Sequence, residues 1–379
     1  MSVSEKVASR YAEIFVAVFD RIQGDPSSPL NVAGACPQSG VGGKPFVGGN
    51  ALLTSLVAAE RGFGVPVWMT KSKINELGLH ILKGERNTPI VKYDPFYEDV
   101  STGKRDPSMD DARYRALSDE ERKGWVKRCF MSAWPEWNIA QTNFGEVYPE
   151  QWAELQETFG PGVRSVVSCP DIDRLLDASG GGGTEEDTWL CPLVVVPGRP
   201  DPSPYYQESH DIIVVAPKSE YADQERYYAE IVHEMSHATG SEGRLDRNLQ
   251  TDALPERAME ELVAELSGAT VCTMLGVQTG VREHNLGFLK SWASVISDDP
   301  NVIYRAVNEA ARAAEMVVGP LGLQQRPGFS LERLMEGVEE ARVSREKAEE
   351  RRQQRAQAAG GKHRKGWKPV KAPSGGRRR

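Results

Sequence analysis

The sequence predicts an α+β fold in two parts with a tail. A domain with a small sheet covers residues 1–145, a second mixed domain covers 146–340, and a basic, disordered segment covers 341–379. Three observations predict this. Helical apolar stripes alternate with short β-branched runs up to about residue 320. A His-Glu-x-x-His stretch, with an acidic helix behind it, organises the second part. Charge is also divided: of a net −8, residues Arg345–Arg379 carry 13 Lys/Arg against 3 Asp/Glu, about +10, which leaves about −18 for the body.

In chain order, Val7, Tyr11, Ile14, Phe15, Val18, Phe19 and Ile22 form a helical stripe. Residues 24–49 are rich in Gly, Pro and Ser and read as an extended loop. Its Gly40-Val41-Gly42-Gly43-Lys44 lacks the phosphate-loop spacing and is followed by Pro45, which excludes nucleotide binding there. Residues 50–61 read as a helix stopped by Gly62 and Gly64. Strands are expected at 65–70, 79–83 and 88–93, with a short helix at 71–77 between the first two. Residues 94–123 read as a polar surface excursion, and a returning strand at 129–134 continues to 139. A helix at 148–159 follows, then a glycine-rich hinge at 179–184 and strands at 193–196 and 211–215. Helices at 285–296 and 301–318 close the domain.

The chemistry lies in His233-Glu234-Met235-Ser236-His237. On a helix of 3.6 residues per turn, His233 and His237 share a face and can reach one ion. Glu234 stands next to the first ligand, where it can act on a water without ligating the metal. Two histidines and a glutamate on an exposed helix would be a solvated face, so a third ligand matters. Residues 255–266 supply one: Glu261 and Glu265 lie four apart beside an apolar stripe of Leu262, Leu266 and Ala269. Glu261 is assigned to the metal and Glu265 to accepting the free N–H of a ligand histidine. The reverse assignment, or Glu260, stays open. Imidazole and carboxylate ligands suit zinc, and manganese or cobalt can occupy the same set. A dication so held acidifies a bound water; Glu234 would take its proton and pass it to a leaving amine, which is peptide hydrolysis. His210, His284, Tyr205 and Tyr206 are candidates to stabilise the developing oxyanion.

Five cysteines (Cys36, Cys129, Cys169, Cys191, Cys272) form no C-x-x-C pair, which points away from a disulfide framework and toward a reducing compartment. The start of the chain lacks signal-peptide character and no run approaches a membrane span, so a cytoplasmic protein is expected. In the first part, basic residues Lys71, Lys73, Lys83, Arg86 and Lys92 accompany Phe46, Trp68, Trp134 and Trp137. Aromatics within a positive groove bind single-stranded nucleic acid by stacking. The same residues would otherwise be a sheet core with a solvated lysine face.

Several motifs in order resemble one family. They are Phe46-Val47-Gly48-Gly49-Asn50, residues 63–70, residues 78–85, Trp137-Asn138-Ile139-Ala140-Gln141-Thr142, residues 233–240, Arg244-Leu245-Asp246-Arg247, residues 260–265, and 284–292. Over residues 5–320 the chain resembles the ArdC antirestriction proteins of plasmids and phages. The resemblance implies an N-terminal single-stranded-DNA-binding domain and a C-terminal zincin-like metallopeptidase domain. It implies protection of incoming DNA from restriction, with an unidentified protein substrate. Phe46, Asn50, Trp68, Lys71, Lys73, Lys83 and Trp137 are then the DNA-binding candidates. Residues 29–34 depart from the family's Pro-Trp-containing loop, and the 94–123 insertion is long. The alternative is a DNA-binding protein that protects by occupancy and holds its metal for structure.

Overall fold

The structure, a computed structural model, describes residues 3–31, 36–40, 42–159, 168–178, 189–221, 223–247, 249, 254–281 and 283–321, with positions 331 and 335. The expected hinge at 179–184 and the basic tail lie outside the described residues.

Helix α1 (Val3–Gly24) buries the whole predicted stripe, with Phe15, Val18, Phe19 and Ile22 fully enclosed. Strand β1 (Gln38–Ser39) is a two-residue piece of the extended loop. Helix α2 (Gly48–Arg61) stops at Gly62, whose left-handed φ of 68° ends the helix at no side-chain cost. Strand β2 (Val67–Thr70) runs into α3 (Lys71–Glu76), whose first turn is capped by the Thr70 side chain accepting from the Lys73 N–H. Then come β3 (Thr88–Asp99), β4 (Lys104–Arg105), α4 (Asp111–Ala116), α5 (Asp119–Arg122) and β5 (Trp125–Asn138). These strands form one sheet in the order β1-β2-β5-β3-β4, antiparallel except for β1 beside β2.

Two expectations fail here for identifiable reasons. Residues 79–83 do not form a strand; they make a single bridge, Ile81 to Thr142. Asn143 satisfies this backbone instead, its side chain accepting from the His80 N–H and its own N–H donating to the His80 carbonyl. Residues 94–123 are not purely an excursion. Strands β3 and β5 pair without a break from Thr88–Glu136 to Asp99–Trp125, an arm tipped by α4 and α5. On the outer arm Val126, Lys127 and Arg128 of β5 are all exposed, while Tyr97 of β3 is buried against Tyr114, so β5 carries no apolar alternation to read there.

The second half continues with α6 (Phe144–Val147), α7 (Pro149–Phe159), α8 (Pro170–Asp177), β6 (Leu193–Val195), β7 (Tyr205–Gln207) and β8 (Ile212–Val215). Strand β8 lies between β6, parallel to it, and β7, antiparallel to it. Helices α9 (Gln224–Ala238), α10 (Leu254–Leu275), α11 (Leu289–Asp298) and α12 (Pro300–Val318) complete the element order.

Two apolar clusters hold these elements. The first joins Phe15 and Phe19 of α1, Leu52 and Leu56 of α2, Leu262 and Leu266 of α10, Trp292 of α11 and Ile303 of α12, so residues from both sequence halves share it. The second joins Ile172, Leu193, Ile213, Val215, Ile231, Met235, Val271 and Cys272. Helix α10 belongs to both. Each large side chain it buries contributes about 1.5–3 kcal/mol, more than the roughly 1 kcal/mol of a helix cap, so packing sets its rotation. That rotation aims its glutamates.

Candidate metal centre

Helix α9 begins at Asp223, whose side chain accepts from the N–H groups of Glu225 and Arg226. Its residues from Ile231 to Ser236 are all buried, His233 and Glu234 among them. Against it lies α10, and the contact is made by small residues. The Ser236 hydroxyl donates to Ser267 Oγ at 3.0 Å, and a Cβ at Gly268 would meet the His233 backbone at 3.8 Å. This close approach brings Glu261 over the two histidines.

Three atoms able to ligate a metal converge. His233 Nε2 and His237 Nε2 are 3.1 Å apart, and Glu261 Oε2 is 3.5 Å from the first and 3.6 Å from the second. Metal–nitrogen and metal–oxygen bonds of about 2.0–2.2 Å in tetrahedral array place donor atoms about 3.3–3.6 Å apart. The two histidine–glutamate distances match that spacing and the 3.1 Å between the imidazoles is just short of it, so the triangle would accommodate one such ion. His233, His237 and Glu261 are also the only His/Cys/Asp/Glu group of ligand spacing among the described residues.

The surroundings hold these three side chains in place. The Asn285 amide, fully buried, donates to both Glu261 Oε2 at 2.8 Å and Glu265 Oε1 at 2.9 Å. Glu260 Oε1 lies 3.1 Å from His237 Nδ1, which turns Nε2 toward His233 Nε2 and Glu261. The Arg247 guanidinium grips Glu260 at both oxygens, 2.8 and 2.9 Å. Those partners hold the Glu260 carboxyl below its usual range even though burial acts the other way. Burial likewise works against a charged His237, but hydrogen bonding to Glu260 and Glu261 and the nearby Glu234 charge outweigh it and push its pKa up to about 10. A pocket that so favours a proton favours a cation in its place.

Glu265 falls short of its expected role. Its Oε2 is 3.8 Å from His233 Nδ1, beyond a hydrogen bond, and that nitrogen is buried without a partner. The carboxylate that does orient one of the two histidines is Glu260, adjacent to Glu261 of the donor triangle.

Glu234 is fixed from the neighbouring sheet. The Tyr206 N–H of β7 donates to Glu234 Oε2 at 2.9 Å. Tyr206 is itself tied down, its hydroxyl donating to Asp211, which Arg244 clamps at 2.9 and 2.7 Å. Burial and this donation push the Tyr206 phenol up to about 12. Of the expected oxyanion groups, the Tyr206 hydroxyl is thus engaged by Asp211. Tyr205 is exposed beside Arg199, His210 is exposed in a turn, and the His284 side chain lies outside the described residues. Strand β7, Asn285, Arg244 and Arg247 were not assigned roles from sequence. The Arg-Leu-Asp-Arg motif was the one available signal for the arginines.

In the first half the DNA-binding candidates separate. Trp68 is 0% exposed, packed edge-on against Phe63, so it is a core residue and offers no face to a base. Both ends of the Asn50 amide are taken by the Val91 backbone, at 2.7 and 2.8 Å, where it plugs the edge of β3. Phe46 packs half-buried against the first cluster, and Trp137 is half-buried with its ring N–H enclosed. Lys71 and Lys83 are exposed, while Lys73 lies 3.7 Å from Glu76. The exposed tryptophan among the described residues is Trp134, 56% open, with Lys92 exposed nearby on the same face of the β3–β5 arm.

A family model described as the N-terminal domain of anti-restriction factor ArdC matches residues 7–132, and one described as a zincin-like metallopeptidase matches residues 196–309. The chain belongs to the ArdC-like family. Among its relatives, uncharacterized protein y4eC of Sinorhizobium fredii is 26% identical over 291 residues, 76% of this chain and 80% of that one. Two Escherichia coli proteins named DNA primase TraC are 27% and 28% identical over 78% and 83% of this chain. The chain spans 18% and 27% of their lengths. The metal-free crystal structure of antirestriction ArdC protein from plasmid R388 shares the fold, with a TM-score of 0.55 at 24% identity, covering 82% of this chain and 99% of that one. The Mn(II)-bound form gives 0.52 at 22%, covering 81% and 97%. The ArdC-like fold is thus the expected α+β architecture, with its zincin-like part built around α9.

Proposed function

We propose that the chain is an antirestriction-type protein that binds single-stranded DNA through residues 1–145 and hydrolyses peptide bonds at a divalent-metal centre within residues 146–340. This division is one of roles, since the two parts share an apolar core. The observation that carries the reading is the triangle of His233, His237 and Glu261 donor atoms with Glu234 beside it. Zinc suits the donor set, and manganese or cobalt fits it as well. When bound, such an ion supplies Lewis acidity and acidifies a water. Glu234 would take the proton of a water as its oxygen adds to the peptide carbonyl carbon, and would pass that proton to the amine nitrogen as the C–N bond breaks. The Tyr206 N–H holds the carboxylate in position for both transfers, and His233, His237 and Glu261 would hold the ion. The substrate is a protein of unassigned identity, the nucleic acid partner is single-stranded, and the setting is the cytoplasm. Among the described residues no helix is long and apolar enough to cross a membrane.

Glu234→Gln tests the hydrolase. The variant should retain the metal and lose hydrolysis by 10²–10⁴-fold, the usual worth of a general base. Undiminished proteolysis would remove Glu234 from the role.

A second reading is favoured by the burial of the centre. The side chains of His233, His237 and Glu261 are only 4, 15 and 14% exposed, which suits a metal that braces α9 against α10 in a DNA-binding protein that acts by occupancy. Protection of DNA from a restriction nuclease separates the two. It survives Glu234→Gln under this second reading and fails under the first.

A further inference from the structure

Arg247 touches no metal-ligand side chain, yet its position is coupled to one. Its guanidinium forks onto Glu260 at 2.8 and 2.9 Å, and Glu260 Oε1 meets His237 Nδ1 at 3.1 Å. The same guanidinium reaches the Ser236 carbonyl at 2.8 Å and the Thr239 hydroxyl at 3.0 Å, so it also closes the end of α9 on which His237 stands. The loop that delivers it folds tightly under Gly240, where a Cβ would lie 2.9 Å from Arg247 Nη2. Arg244, from the same loop, also closes α9 at the Ala238 carbonyl, 2.8 Å away, but its carboxylate partner leads elsewhere: through Asp211 and Tyr206 to Glu234, without reaching a histidine side chain.

We infer that Arg247 is a positioning residue that sets the metal affinity of the centre through Glu260 and His237, and that Arg244 is not. The inference rests on the proposed metal centre. Without the fork, Glu260 can rotate off Nδ1, and the imidazole loses both its direction and the negative partner that strengthens it as a ligand. Removal of such an outer partner typically costs 10–100-fold in metal affinity.

The surface beside the relay supplies an unusual control. A cleft of about 420 Å³ is walled by Arg247, Met259 and Glu260, with Asp246, Glu256, Glu309 and Arg312 around it. Four carboxylates there face two guanidiniums. Truncating Arg247 leaves one guanidinium against four carboxylates, next to the space the side chain vacated. A small planar cation can enter it and form the same paired contacts with Glu260.

The experiment measures Zn²⁺ and Mn²⁺ affinity of the full chain by competition with a chromogenic chelator, which needs no catalytic activity. Arg247→Ala should bind both ions 10–100-fold more weakly, and millimolar methylguanidinium should restore much of that loss. Arg247→Lys, which keeps the charge but not the fork, should fall between, and Arg244→Lys should stay within about threefold of wild type. Thermal unfolding checks that each variant is folded; should Arg247→Ala not fold, Arg247→Lys and Glu260→Gln carry the test. Equal affinity in wild type and the Arg247 and Glu260 variants, or equal losses in the Arg244 and Arg247 variants, would overturn the inference and leave the metal centre standing. A wild-type chain that binds neither ion would overturn both.

Discussion

Asn285→Ala probes the structural side of the centre. The wild-type amide donates to Glu261 at 2.8 Å and to Glu265 at 2.9 Å from a fully buried position, bridging two carboxylates that otherwise repel. Hydrogen bonds to charged groups contribute about 1.5–3 kcal/mol each, so removing both should cost about 3–6 kcal/mol in the metal-free protein. Unfolding entropy near 2.1 cal/mol/K per residue gives about 0.7 kcal/mol/K for the compact unit Met1–Phe329. The expected drop in Tm is therefore about 4–9 °C. Calorimetry of the metal-free variant and wild type, in the same buffer with chelator, reads this directly. A drop under about 2 °C would mean that the two acids tolerate each other without the amide, and the account of how α10 presents Glu261 would be wrong.

Two further outcomes follow from the first half of the chain. Burial of Glu136, whose Oε2 lacks a partner, pushes its pKa from the usual 4.5 up to about 7. The penalty is absent below pH 4.5, where folded and unfolded chains are both protonated. It grows as pH rises to about 7, because the unfolded chain ionises first, and then stays constant at about 3 kcal/mol. Glu136→Gln should therefore stabilise the protein by up to that amount at pH 8 and by nothing at pH 4 in urea unfolding; an equal gain at both would point to packing. If residues 1–145 hold single-stranded DNA as proposed, the stacking face belongs to Trp134, not Trp68. Stacking is worth about 1–3 kcal/mol per base, so Trp134→Ala should weaken oligonucleotide binding by roughly five- to 150-fold in fluorescence anisotropy, while Trp68→Phe leaves it unchanged. The opposite pattern would place DNA elsewhere.

Local periodicity made part of this protein legible without a structure. The α1 stripe is buried residue for residue, and His233 and His237 share a face because four residues make about one helical turn. Positions that depend on how elements meet were not legible. Glu260, Glu261 and Glu265 are close to equivalent in sequence, but the rotation of α10 between two apolar clusters sends the first to His237 Nδ1 and the second to both Nε2 atoms. It leaves the third 3.8 Å from His233 Nδ1. Trp68 and Asn50 looked like nucleic-acid contacts because residue type does not reveal burial or a backbone partner 41 residues away. Strand β7, three residues long, has too little pattern to detect, yet its Tyr206 N–H holds Glu234. The sequence by itself determined the two imidazoles, the neighbouring acid and the helices that carry them, since these follow from bonds and dihedrals within one turn. Tertiary packing decided which carboxylate meets both Nε2 atoms and which arginine grips Glu260, because those choices turn on ångström-scale distances between segments far apart in the chain.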